Sequence, residues 1–184
     1  HICFTGSAEV GQKIRRICAD SWNKTCSCEL GSKSAVIVFD DANFNLAVSA
    51  SIASAFKLSG QRCVSSGRLI VQRKVYDAFV QKFVHYVEQI KVGPPLTDTG
   101  FMIGGGLIPT NYYMGPLINK QQLDRVKKYN NMVSEDPESE IVLRGESPDR
   151  PGYFMTPTVY KTEWRDVPYL KEEVFGPHVA IIPF

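Results

Sequence analysis

Apolar and polar residues alternate along the chain in two patterns, short apolar runs and longer helical stripes. Short β-branched or aromatic runs predict strands, at residues 1–5, 25–30, 35–39, 69–72, 141–143, 158–160 and 179–182. Stripes that recur about every 3.6 residues predict helices, at residues 8–20, 43–58, 74–89 and 119–133. Strands that alternate with helices indicate an α/β fold, a three-layer αβα domain around a mostly parallel sheet.

The predicted helix at 43–58 leads into the most informative stretch of the sequence. It is apolar on nearly all sides, as expected for a helix that is buried on most of its surface. Gly60 then allows a sharp turn, so Cys63 lies between two core elements, a position that suits a nucleophile. The alternative is a buried structural cysteine, since cysteine is among the most buried residue types. No histidine is an obvious base for it.

Composition and charge narrow the function classes. At 184 residues and 43% apolar content, one domain is expected, with a fragment of a second. The net charge of +2 is too small for a nucleic-acid-binding surface. No stretch suits a membrane span, and no signal peptide is recognised. The five cysteines lack the spacing of a secreted disulfide scaffold, so a reducing, cytoplasmic setting is expected.

The ends of the sequence suggest an internal piece of a longer protein. The chain starts at His1 inside an apolar run, without Met, and stops at Phe184 inside another. Natural domains rarely begin and end within core strands.

Three weaker chemical signals each have a plain alternative. The stretch from Gly6 to Gly11 joins a strand to a helix, an arrangement that binds phosphate, with Ser7 as helix cap; an ordinary βα turn is the alternative. Glu29 is either a general base at the head of a buried strand or a solvated surface group. The Cys26-Ser27-Cys28 stretch hints at metal, but strand packing is favoured and no metal site is predicted.

Two further predictions concern a loop and a helix cap. Residues 93–116, which include three consecutive glycines, are expected to form a surface loop. Asn119 and Gln122 have the spacing of a capping box, in which each side chain bonds the other residue's backbone N–H. Residues 134–139 are expected to be a polar turn.

Five stretches, in order along the chain, match motifs of one family. They are Phe4-Thr5-Gly6-Ser7-Ala8-Glu9-Val10-Gly11, Glu29-Leu30-Gly31-Ser32-Lys33, Gly60-Gln61-Arg62-Cys63, Gly152-Tyr153-Phe154 with Pro157-Thr158-Val159, and Glu172-Glu173-Val174-Phe175-Gly176-Pro177. On these motifs the sequence resembles the NAD(P)-dependent aldehyde dehydrogenase superfamily over essentially its whole length. The resemblance implies that residues 1–28 end a Rossmann-like cofactor domain and that residues 29–184 form a truncated catalytic domain.

The resemblance also implies roles for single residues. Cys63 would be the nucleophile and Glu29 would activate water, both facing one cavity. The residues expected to hold NAD or NADP are Gly6, Ser7, Leu30, Glu173 and Phe175. The substrate would be a small aldehyde, and the parent enzyme a homo-oligomer. Cys3, Cys18, Cys26 and Cys28 are expected to be buried or restrained by their strands and helix.

Two departures from the family pattern stand out. Ser32 replaces the second glycine of the E-L-G-G-K motif, and the loop at 100–114 is longer than the family's usual connection. Relative to the family the chain also lacks N-terminal and C-terminal parts. A folded but inactive fragment, with an association role only, is therefore the rival hypothesis. A cysteine hydrolase is a weaker alternative, which would require a histidine packed against Cys63.

Overall fold

The computed structural model describes residues 1–94, 101–103, 106–108 and 113–184, the two short central segments by their backbone alone. The chain divides into two compact units, His1–Ser32 and Lys33–Phe184. The predicted division after residue 28 falls inside a strand that belongs to the first unit. Among the described residues no helix combines the length and the apolar character needed to cross a membrane.

The first unit is a single βαβ motif. Strand β1 (Ile2–Gly6) pairs in parallel with β2 (Cys26–Leu30), and helix α1 (Ala8–Ala19) connects them. Gly11 of α1 lies against β2: a Cβ at this position would be 2.4 Å from Cδ2 of Leu30. The glycine therefore allows the helix to approach the strand closely.

The second unit is built on a five-stranded sheet. Its strands are β3 (Ser34–Val38), β4 (Ser66–Val71), β7 (Ser139–Leu143), β8 (Thr158–Thr162) and β9 (His178–Pro183), in the order β3-β4-β9-β8-β7. The first four strands in this order are parallel, and β7 is antiparallel to β8 at one edge. A separate antiparallel pair is formed by β5 (Phe101–Ile103) and β6 (Gly106–Ile108).

Helices pack on both faces of this sheet. Their bounds are α2 (Phe44–Phe56), α3 (Arg73–Val87), α4 (Lys120–Glu135) and the short α5 (Pro168–Lys171). The side chains of β9 alternate between the two resulting cores. Val179 and Ile181 join the cluster with α2 and α3, whereas Ala180 and Ile182 join the cluster with α4 and α5. The predicted three-layer αβα architecture with a mostly parallel sheet is confirmed.

Several local predictions differ from the structure. Helix α4 continues to Glu135 and β7 already begins at Ser139, so the polar turn predicted at 134–139 is shorter. The stretch predicted as loop at 93–116 contains β5 and β6. The remainder of that prediction, at 95–100, 104–105 and 109–112, lies outside the described residues.

Candidate active site

The backbone before Cys63 follows an unusual path. After α2 a 3₁₀ turn (Lys57–Gly60) begins, and Leu58, Ser59 and Gly60 have φ of 55°, 58° and 71°. A Cβ on Gly60 would lie 2.4 Å from the carbonyl oxygen of Gly176. Only glycine tolerates both the left-handed conformation and this close approach. Gly60 thus brings the cysteine loop against the segment that precedes β9.

Hydrogen bonds fix the residues around Cys63 on two sides. Arg62 Nη2 donates to the carbonyl oxygens of Ala53 and Ser54 at the end of α2, at 3.0 and 3.1 Å. On the other side Gln61 Oε1 accepts from the N–H of Ile118 at 2.9 Å.

The turn itself is closed between Arg62 and Ser65, whose N–H donates to the Arg62 carbonyl oxygen at 3.0 Å. Cys63 lies within it and is exposed, whereas Cys18 is buried. A buried structural role for Cys63 is therefore wrong. Cys3 is exposed as well, so β1 does not bury it.

Helix α4 holds the segment from Glu172 to Pro177, which we call the carbonyl segment. Gln122 Nε2 donates to the carbonyl oxygens of Val174 and Phe175, at 2.9 and 2.8 Å. Arg125 Nη2 donates to the carbonyl oxygen of Glu173 at 2.6 Å. Three successive carbonyls are thus bound from one helix face, and Phe175 is held at a φ of 60° with its ring exposed.

These contacts correct the predicted capping box. The Asn119 side chain accepts from the N–H of Gln122 at 2.8 Å, as an N-cap should. The Gln122 side chain, however, binds the carbonyl segment instead of the Asn119 backbone. Sequence reasoning missed Gln122 and Arg125 as site residues. The only signal was their spacing of three residues on one helix face, which is not specific.

Lys33 lies at the start of β3 and is the most strongly perturbed lysine of the site. Its Nζ donates to the carbonyl oxygen of Tyr169 in α5 at 2.9 Å. Burial, reinforced by the nearby charge of Arg68, lowers the pKa of Lys33 to about 7, against the opposing effect of Glu173 and Glu172. The sequence motif contained Lys33, but nothing in the sequence indicated this environment.

The remaining predicted site residues lie in the first unit. Glu29 is exposed on β2, opposite Thr5. Ser7 caps α1, its Oγ accepting from the N–H of Val10 at 3.4 Å. Gly6 ends β1 next to this cap, and Leu30 packs against α1 at Gly11. Because Glu29 and Cys63 belong to different units, their common cavity stays a prediction.

The three histidines have contacts of their own. His178 is buried, with its ring nitrogens 2.9 Å from Asn130 Oδ1 and 3.1 Å from the Tyr160 hydroxyl, and burial lowers its pKa well below the ordinary value. The ring of His1 contacts hydroxyls of its own unit, and His85 contacts a glutamine one turn away. These contacts give no support to a histidine base beside Cys63.

No group of three or more histidine, cysteine or acidic residues suited to a metal ion occurs in the part of the chain that the structure describes. Cys26 and Cys28 are partly buried on β2.

Comparison with known proteins identifies the family. The model of the aldehyde dehydrogenase family matches residues 1–184, the whole chain. This chain belongs to the aldehyde dehydrogenase family. It is 36% identical to an aldehyde dehydrogenase from Agaricus bisporus over 184 residues, which is 100% of the chain and 34% of that protein. It is 38% identical to a cytosolic 10-formyltetrahydrofolate dehydrogenase from Mus musculus, covering 100% of the chain and 19% of that protein.

Solved structures of aldehyde dehydrogenases show the same fold. Betaine aldehyde dehydrogenase from Staphylococcus aureus, solved in complex with NAD+, matches with a TM-score of 0.84 and 30% identity, over 99% of this chain and 34% of that one. The family member described here therefore spans about a third or less of the length of these relatives.

Proposed function

We propose that the protein containing this chain oxidises an aldehyde to a carboxylic acid with NAD or NADP, and that Cys63 is its nucleophile. The observation that carries the proposal is the placement of Cys63. It is exposed, lies in a turn anchored to α2, and follows a glycine packed against the carbonyl segment. Family membership favours aldehyde chemistry at this cysteine over other thiol reactions.

The residues proposed for the cofactor fit a dinucleotide in their chemistry. The N–H groups at the start of α1, capped by Ser7, attract phosphate. The Glu173 carboxylate can accept hydrogen bonds from ribose hydroxyls. The exposed Phe175 ring offers an apolar surface to nicotinamide. Gly6 and Leu30 would also contact the bound cofactor. NAD or NADP, when bound, accepts the hydride that the reaction releases.

The protein groups then have distinct tasks in the proposed mechanism. The Cys63 thiolate adds to the aldehyde carbon, and the carbonyl oxygen takes up the negative charge of the tetrahedral thiohemiacetal. The backbone N–H of Cys63 stabilises this oxyanion. After hydride loss a thioester remains on Cys63. Glu29 takes a proton from water, which attacks the thioester carbon and releases the carboxylic acid and the thiolate.

Thiol labelling of this chain tests the nucleophile. Brief exposure to iodoacetamide followed by peptide mapping should show Cys63 modified before Cys18, Cys26 and Cys28, because it is exposed while they are at least partly buried, and before Cys3 because a nucleophile is the more reactive thiol. Cys3 is the internal control, since it is exposed but has no proposed role. Labelling of Cys63 no faster than that of Cys3 would favour a fragment with an association role only.

Substitutions in the longer parent protein test the reaction. Cys63→Ser should abolish aldehyde-dependent reduction of NAD or NADP. Glu29→Gln should still give a burst of one equivalent of reduced cofactor but no turnover, because the thioester forms and is not hydrolysed. The 184-residue chain alone should show little turnover. A cytoplasmic location and a homo-oligomeric parent enzyme are further predictions.

A further inference from the structure

The side chain of Arg62 lies at the C-terminal end of helix α2. In the last turn of α2 the Ala53 carbonyl oxygen still accepts from the N–H of Lys57. The next bond of a regular helix would join Ser54 to Leu58, but Leu58 has a φ of 55° and leaves the helical path. The Arg62 guanidinium donates to both carbonyls, of Ala53 and of Ser54. It thus satisfies an orphaned acceptor and places a cation at the negative end of the helix dipole.

The guanidinium is not simply a surface charge. Its Nε is buried and has no hydrogen-bond partner among the described residues. Burial raises the pKa of Tyr113 to about 12, and the charge of Arg62 opposes that rise. Arg62 is therefore partly buried, with its guanidinium directed at the end of α2.

The same residue closes the turn that carries Cys63. The Arg62 carbonyl oxygen accepts from the N–H of Ser65, so the side chain anchors the start of the turn while the backbone spans it. A second link fixes the far end of the turn, because the hydroxyls of Ser54 and Ser66 are 2.6 Å apart. Both ends of the Cys63 turn are therefore tied to the last turn of α2.

We propose that Arg62 is a positioning residue for Cys63. Its bonds to the end of α2 hold the turn so that the Cys63 sulfur and backbone N–H face one point, where a carbonyl group can react. The family motif does not specify this position, which is the x of G-Q-x-C, and the inference rests on the proposed nucleophilic role of Cys63. Both bonds come from one nitrogen, Nη2, whose N–H directions are fixed by the planar guanidinium, whereas a lysine ammonium rotates freely.

Two reagents distinguish a correctly positioned Cys63 thiol from one that is only accessible. In attack on p-nitrophenyl acetate, the Cys63 sulfur bonds to the acetyl carbon, the carbonyl oxygen carries the negative charge, and p-nitrophenolate leaves. Acylation therefore requires that the sulfur and the oxyanion donor both reach the same carbonyl group. Alkylation by iodoacetamide displaces iodide at a saturated carbon and needs no oxyanion donor. The ratio of the two rates at Cys63 thus reports on positioning.

Arg62→Met should lower this ratio. In a Cys3→Ser background of the 184-residue chain, we expect acylation of Cys63 to slow about tenfold or more, less than the ~10²–10³ lost when an oxyanion donor is removed outright. Alkylation should change by less than about threefold, since reagent access is retained. Arg62→Lys should give a ratio of acylation to alkylation between those of the wild type and Arg62→Met. If Arg62→Met does not fold, Arg62→Lys provides the test.

Lys57→Met is the matched control. Lys57 is a second cation at the same helix end, but it is exposed and contributes only its backbone N–H to the cap. Its loss should leave the ratio unchanged. An unchanged ratio in both Arg62 variants, or an equal fall in Lys57→Met, would overturn the inference. If wild-type Cys63 itself is acylated no faster than a denatured-chain thiol, the proposed nucleophile fails instead.

Discussion

At the residue scale, strain is concentrated just before the proposed nucleophile. Leu58 and Ser59 are consecutive non-glycine residues in the left-handed region, where each residue costs roughly 1–2 kcal/mol. A bond from Ser59 Oγ to the carbonyl oxygen of Gly115, at 2.8 Å, helps to hold this conformation. Strained backbone persists only where surrounding contacts enforce it, and here they enforce the position of Cys63.

Gly60→Ala should destabilise the protein by at least about 2 kcal/mol, because the new Cβ meets both a positive φ and the Gly176 carbonyl oxygen at 2.4 Å. Gly67→Ala is the matched control. Its Cβ would meet side-chain atoms of Lys33, at 3.0 Å, and no backbone atom, and its φ is not left-handed, so a smaller loss is expected. Urea unfolding of the two variants checks this. Equal losses of stability would show that the Gly60 contact is unimportant.

The same scale shows which site residues a sequence can reveal. The turn at Gly60, with Cys63 between α2 and the next strand, was predictable, because such a turn needs glycine. Ser7 and Asn119 were predictable as caps for the same reason. The anchoring roles of Arg62, Gln122 and Arg125 were not, because their acceptors are backbone carbonyls, which any residue supplies and which a sequence does not mark.

At the element scale, helices with a clear apolar stripe were predicted within a few residues, as α3 and α4 show. Short elements were missed. Helix α5 has four residues, which is too few for a helical period. It nevertheless matters to the site, since the Tyr169 carbonyl oxygen accepts from Lys33 and α5 leads directly into the carbonyl segment.

The buried Lys33, whose hydrogen bond to Tyr169 links β3 to α5, should make the stability of the protein depend on pH. Lys33 has a pKa near 7 in the folded protein but about 10.4 when unfolded. Between these values the unfolded chain binds more protons, so the free energy of unfolding should rise with pH from about 7 to 10 through this group. Lys33→Met should lack that contribution. Urea titrations of both proteins at pH 7 and pH 9 measure it, and parallel pH dependences would contradict it.

At the scale of the whole molecule, the two units differ in how completely they enclose a core. Both hydrophobic clusters of the described chain consist of residues from Lys33–Phe184. The first unit buries little of its side-chain surface, with Gly11 and Cys18 as the buried residues of α1. The sequence predicted the layers of the second unit and the strands and helix of the first, since periodicity reports which faces are apolar. The family resemblance implied a boundary after residue 28, within β2, whereas the compact units divide after Ser32.

We expect residues 33–184, expressed alone, to keep a cooperative unfolding transition, because their sheet and both clusters are complete without residues 1–32. Residues 1–32 alone should remain unfolded, since so short a chain rarely buries enough surface. Circular dichroism and urea unfolding of the two pieces test this. Loss of the transition in 33–184 would mean that the first unit is needed for the fold of the second.

The alternation of β9 has a consequence for how the second unit can change during evolution. One strand supplies Val179 and Ile181 to one core and Ala180 and Ile182 to the other. An insertion or deletion of one residue would exchange the two sets of side chains between the layers. Polar replacements are unfavourable at every one of these positions. New sequence variation should therefore accumulate in the outer helices, while this strand drifts only among apolar residues of similar volume.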